Sequence, residues 1–189
     1  MCALQVIAAV RQTSEAMNSR WISSLAFVAA VSLLTGPRCW AGHTPTAEQG
    51  AVLEQWLREH PGHRRATLED CRCLPDVESL RRQQRDHWGV APDYHPYLVV
   101  GDLNSDAEAD LAVVVVDPLG EWMFLIFNGP LEVGATPSFV DTGLDFERKG
   151  LFYGPPRPEP YRLVVGPFES HGALVLPKGT TYEIKWAEY

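Results

Sequence analysis

Two six-residue runs, Leu111-Ala112-Val113-Val114-Val115-Val116 and Trp122-Met123-Phe124-Leu125-Ile126-Phe127, are apolar at every position. Successive side chains of a strand point to opposite faces, so a run with no polar residue has no face to give to water. The runs are short for helices and rich in β-branched and aromatic residues, which suits strands. Asp117-Pro118-Leu119-Gly120 between them is turn chemistry. This chain is therefore expected to build a sheet covered on both faces.

Two amphipathic helices are available to cover one face. Thr44-Pro45-Thr46 opens the first, with Thr46 and Gln49 spaced for a capping box. Val52, Leu53, Trp56 and Leu57 recur at helical spacing through Arg58, and Pro61-Gly62 ends the pattern. A second helix is expected from Pro75 to about His87, with Val77, Leu80, Gln84 and Trp88 near one face. Its Arg81, Arg82 and Arg85 read as a solvated face paired with Asp76, Glu78 and Asp86; an anion site is the alternative.

Further strands are expected at Tyr97–Val100, Tyr161–Val165, Ala173–Leu176 and Thr181–Trp186, with turns at Gly166-Pro167 and Pro177-Lys178-Gly179-Thr180. Asn128 to Pro160 reads as one long irregular stretch. It ends in Pro155-Pro156-Arg157-Pro158-Glu159-Pro160, a stiff connector or a polyproline segment for a partner. The expected architecture is α+β, with two N-terminal helices packed on an antiparallel sheet of five or six strands.

The 189 residues carry a formal charge of −8, which suits one globular domain and argues against a nucleic-acid partner. Arg20, the apolar run Trp21–Leu34, the breaker Gly36-Pro37 and the exit Cys39-Trp40-Ala41 have the order of a secretory signal. Cleavage after Ala41 is expected, leaving residues 42–189 as one exported domain, periplasmic or secreted, with no membrane attachment. A retained anchor is the other reading. Met17 offers a second start, in which case residues 1–16 are not translated. Loss of residues 1–41 removes three Arg and one Glu from 16 basic and 24 acidic residues, leaving 13 and 23 and a net charge of −10.

The clearest chemical pattern is Asp102-Leu103-Asn104-Ser105-Asp106-Ala107-Glu108-Ala109-Asp110, between two apolar runs. Oxygen-bearing side chains occupy positions 1, 3, 5 and 9, and calcium takes six to eight oxygens. Asp102, Asn104, Asp106 and Asp110 would supply side-chain oxygens, and Glu108 its carbonyl. No Glu stands at position 12, where Val113 lies. The pattern resembles the calcium loop of FG-GAP repeats, as in integrin-type propellers, over roughly fifteen residues and in a single copy. That resemblance implies a calcium ion held by Asp102, Asn104, Asp106, Glu108 and Asp110. It departs at Ala107, where the family has Gly. From Asp86 to Glu147 there are twelve acidic residues and no Lys or Arg, a stretch that attracts cations. The other reading is an Asx-rich turn that binds nothing.

After cleavage only Cys71 and Cys73 remain, and in an oxidising compartment they can pair with each other or with another chain. A free pair, a redox site, and a zinc set with His60 and His63 are the alternatives. The sequence lacks G-x-S-x-G, HExxH, P-loop and GxGxxG motifs. Glu169-Ser170-His171 and Asp86-His87 place candidate groups side by side, where neighbours rarely face each other productively. Three function classes follow. The first is a non-enzymatic binding protein with a structural calcium loop, its partner a protein or envelope component. The second is a hydrolase with a calcium-stabilised fold, and the third a Cys-x-Cys thiol redox protein.

Overall fold

The computed structural model describes residues 41–42, 44–83, 94–153, 163–168 and 172–186. The chain divides between Pro37 and Arg38, and all described residues belong to the second unit. The expected signal segment through residue 40, the polyproline run, Asp86-His87 and Glu169-Ser170-His171 lie outside the described residues. No described helix is long and apolar enough to cross a membrane.

The first described element is a two-residue strand, β1 (Ala41–Gly42). The capping box at Thr46 then forms as expected. The Gln49 N–H donates to Thr46 Oγ1 at 3.3 Å, and the Thr46 N–H donates to Gln49 Oε1 at 2.8 Å. It starts α1 (Ala47–Glu59), which ends at His60 and is followed by β2 (Arg64–Arg65). A 3-10 turn (Leu68–Asp70) leads into α2 (Leu74–Gln83). The expected continuation of α2 to His87 falls outside the described residues. Then come β3 (Leu98–Gly101), β4 (Asp110–Val116), β5 (Trp122–Phe127), β6 (Phe139–Asp141) and β7 (Lys149–Tyr153). The last strands are β8 (Leu163–Pro167), β9 (Ala173–Lys178) and β10 (Thr181–Trp186).

The class is α+β, but the single sheet of five or six strands is corrected to two. One sheet runs β1-β3-β4-β5-β6 with β2 also paired to β4, and the other runs β10-β9-β8-β7. Their pairings are antiparallel. The reason lies in β4, which is buried along its whole length. Leu111, Val113 and Val115 join Leu98, Val100, Leu125 and Phe127 in a core closed by Val52, Leu53 and Trp56 of α1. Ala112, Val114 and Val116 join Tyr97, Val99, Phe124 and Ile126 in a second core. That core takes Val77 from α2, and Leu151, Phe152, Leu163, Val165 and Tyr182 from the second sheet. The two helices therefore serve different cores, not one shared face. A four-stranded sheet does what a second helix alone could not.

The stretch from Asn128 to Pro160 is also corrected, because β6 and β7 lie within it. β6 extends the first sheet, Ile126 pairing with Phe139, and β7 pairs with β8, Leu151 opposite Val165. The sheets are joined by the Leu151 N–H donating to the Pro96 carbonyl at 2.7 Å, and by Tyr97 Oη donating to the Phe146 carbonyl at 3.0 Å. Gly150 makes that approach feasible. A Cβ there would run into Tyr94 Oη, and would lie 3.1 Å from the Phe168 ring and 3.3 Å from Pro96. Gly150→Ala is expected to lower stability by about 1–3 kcal/mol, the usual range for overpacking. A urea midpoint equal to that of the parent would refute the tight contact.

Candidate functional site

The loop from Asp102 to Asp110 connects β3 to β4, whose ends meet as the pair Gly101 and Asp110. Its geometry is set by carboxylates bonding to the backbone. Asp102 Oδ1 accepts from the N–H groups of Ser105 at 2.6 Å and Asp106 at 3.1 Å, and Asp102 Oδ2 from that of Ala107 at 3.3 Å. Asn104 Oδ1 accepts from the Asp106 N–H at 3.0 Å, and Asn104 Nδ2 donates to Asp106 Oδ2 at 2.8 Å. Asp106 Oδ1 accepts from the Glu108 N–H at 2.8 Å. These are Asx turns in series, the chemistry that lets Asp and Asn curl a chain. The curl carries Ser105 to φ 69° and Ala107 to φ 72°, a region that disfavours a Cβ.

Asp110 differs from the others. It is fully buried, while Asp106 and Glu108 are exposed and Asp102 and Asn104 half-buried. Its Oδ2 accepts from the Leu103 N–H at 2.6 Å and its Oδ1 from the Gly129 N–H at 2.9 Å. It thus ties the end of the loop to its start and to the segment after β5. Burial pushes its carboxyl up to about 6, against the pull of the Gly129 and Leu103 N–H groups. Among the described residues no three His, Cys, Asp or Glu side chains are gathered as a metal-binding group. Asp102, Asn104, Asp106, Glu108 and Asp110 share one loop, with Asp110 turned into the interior.

The site has members that the sequence reading missed. Gly129 admits no side chain, since a Cβ would lie 2.8 Å from Glu108 Cβ and 2.9 Å from the Ala109 carbonyl. Asn128 Oδ1 accepts from Ser138 Oγ at 2.9 Å and from Tyr182 Oη at 2.8 Å, bringing β10 against the loop. The Tyr182 phenol is held well above its usual range, first by burial and then by the charge of Asp110. Asn128 and Gly129 opened the stretch expected to be irregular, and nothing local marks Tyr182.

The other candidates separate. His60 stacks on Trp56 and His63 stands edge-on to it, whereas Cys71 and Cys73 lie in the second core, so the zinc set of these four is not assembled. Cys71 and Cys73 stand with sulfurs adjacent and Cα atoms 5.0 Å apart, between the 3-10 turn and α2. The intervening Arg72 is held on Glu147 by its N–H at 2.9 Å and its Nε at 2.9 Å. Just ahead, Arg64 grips Asp70 through two parallel bonds of 2.6 and 2.7 Å, which hold that carboxyl near 2. Of the basic cluster on α2, Arg81 donates to the Tyr94 carbonyl and Arg82 to that of Glu78. A cleft of about 310 Å³ is walled by Glu121, Trp122, Leu144, Asp145 and Glu147. It sits beside Val116, the far end of β4 from Asp110. Comparison with family models, curated proteins and solved structures finds no match.

Asp110 makes stability depend on pH. Its folded value, about 6, exceeds the ordinary 3.8, so between those values the folded chain binds more protons than the unfolded one. Its contribution is therefore largest below pH 4 and is lost as pH rises through 6, on the order of 3 kcal/mol in all. Asp70 acts in the opposite sense and in another window, losing its contribution as pH falls from about 4 toward 2. In chelator, Asp110→Asn is expected to flatten the urea-midpoint profile between pH 4 and 6. An unchanged slope would show that Asp110 is ionised throughout.

Proposed function

We propose that the chain is an exported, non-enzymatic binding protein whose loop from Asp102 to Asp110 takes a structural calcium ion. The carrying observation is the closure of that loop on Asp102, which draws in the N–H groups of Ser105, Asp106 and Ala107. Asp102 Oδ1 accepts two of these N–H groups, whereas Asp102 Oδ2, Asn104 Oδ1 and Asp106 Oδ1 each accept one and keep a second lone pair for a cation. Asp102, Asn104, Asp106 and the Glu108 carbonyl are the first ligands in this proposal, and Asp110 closes the loop behind them. A hydrolase would be favoured by a buried acid beside a cleft. Here the buried acid and the described cleft stand at opposite ends of β4, roughly 20 Å apart at the rise of an extended strand.

Calcium that binds the folded loop alone raises stability by mass action, about 2.7 kcal/mol at a hundredfold excess over Kd. With Ala107 at φ 72°, the expected affinity is in the weaker range, roughly 10⁻⁴–10⁻³ M. The test is a thermal melt with millimolar calcium against chelator at fixed ionic strength. The parent is expected to gain in Tm with calcium, and Asp102→Ala to lose that gain. Ala107→Gly relieves the left-handed strain and raises stability in both buffers by about 1 kcal/mol. Only a calcium site makes its gain larger with calcium than with chelator. Equal melting temperatures for the parent in the two buffers would reduce the loop to a turn.

Export to an oxidising compartment further proposes a Cys71–Cys73 disulfide, for which a Cα separation of 5.0 Å is suitable. Intact mass of the freshly isolated, unreduced protein is expected to fall short of the reduced mass by two hydrogens. Two thiols open to alkylation without reductant would refute the bond.

A further inference from the structure

We propose that His60 and His63 form a ligand pair for a divalent transition-metal ion, copper(II) foremost, at the C-terminal end of α1. Both rings are set by the same device. His60 Nδ1 lies 2.8 Å from the Trp56 carbonyl that also receives the His60 backbone N–H. His63 Nδ1 lies 3.2 Å from the His60 carbonyl that also receives the His63 N–H. A carbonyl oxygen only accepts, so each Nδ1 carries its hydrogen, and in the neutral ring the lone pair is at Nε2. An Nδ1–H held by a backbone carbonyl is the arrangement that orients a metal-ligating imidazole.

The rings are also held in place. His60 stacks on Trp56 with centroids 3.9 Å apart and an interplanar angle of 14°, and His63 stands edge-on to Trp56 at 5.5 Å. Trp56 is itself buried in the core beneath α1. The turn between the histidines needs Gly62 at φ 92°, where a Cβ would lie 2.7 Å from Pro118 Cγ, so the β4–β5 turn braces it. With a metal–nitrogen bond of about 2.0–2.1 Å, a ring centre lies roughly 3.2 Å from the ion, so two rings sharing one ion have centres at most roughly 6.4 Å apart. The His60 and His63 centroids are 5.8 Å apart, inside that limit. Imidazole nitrogen suits copper, nickel and zinc, and copper(II) binds tightest of the divalent series. Two protein nitrogens leave the remaining positions to water or to a group brought by a partner.

The experiment titrates copper(II) chloride into the full chain at neutral pH, following tryptophan fluorescence and the electron paramagnetic resonance of the bound ion. One saturable equivalent, nitrogen coupling from two imidazoles and quenching of Trp56 are expected. His60→Gln and His63→Gln are each expected to weaken binding by at least the roughly 10–100-fold that loss of an outer-shell partner costs. Trp56→Phe should remove most of the quenching and keep the two-nitrogen coupling. Absence of that coupling in the parent overturns the proposal without recourse to any variant. Binding as tight in the His60→Gln/His63→Gln double variant as in the parent overturns it equally, and leaves the pair as an aromatic cap on α1.

Discussion

Burial of β4 on both faces is the constraint on which the rest of the fold depends. A strand in that position satisfies its backbone through neighbours on both edges, here β3 and β2 on one side and β5 on the other. Its side chains need two separate covers. The first is a helix whose stripe of Val52, Leu53 and Trp56 is wide enough for one face. The second core is larger and holds most of the aromatic residues, with Tyr97, Phe124 and Phe146 at its centre. Their rings meet at tilted or edge-on angles, as the quadrupoles of aromatic rings prefer. Supplying that volume takes a whole sheet, and Gly150 lets the sheet come close.

The same burial creates the tension at the end of β4. Asp110 is the first residue of the strand and shares its full burial, so a carboxylate must be held where water does not reach. Two N–H groups offset part of that cost, and they come from different places, Leu103 within the loop and Gly129 beyond β5. The raised carboxyl shows that the offset is partial. Shape follows from charge here. The loop closes because its last carboxylate seeks the N–H of its second residue, and Gly129 must lack a side chain so that its own N–H can approach.

Much of this was legible in sequence where the information is local. Thr46 and Gln49 announced the start of α1, Pro61-Gly62 its end, and the unbroken apolar runs announced β4 and β5. The oxygen spacing of Asp102, Asn104 and Asp106 announced a curled loop. What was not legible depends on distant partners. Phe139-Val140-Asp141 is three residues long and becomes a strand only because β5 offers an edge. Lys149–Tyr153 contains a glycine that weakens the local strand pattern, and its reason, the Tyr94 and Phe168 rings, is far away in sequence. Tyr182 and Asn128 meet across fifty-four positions, and no periodicity reports that. The role of Asp110 as an inward tie was hidden for the opposite reason, since its spacing fitted an ion ligand equally well.

The strain in the loop bears on what it can bind. Ser105 and Ala107 both adopt left-handed backbone, which costs a residue with a Cβ about 1–2 kcal/mol. A strained conformation persists only when its surroundings over-determine it. Here three N–H groups on Asp102 and the Asp110–Leu103 bond hold that conformation. A cation entering this loop would meet carboxylates already oriented, so little of its binding free energy would go into closing the chain. At Asp102 Oδ1 alone it would compete with two N–H donors for the same oxygen, and that competition, added to the strain at Ala107, would limit the affinity of the proposed site. A calcium site of the strength proposed would fill only where calcium is abundant, and the acidic run from Asp86 to Glu147 would draw cations in the same direction.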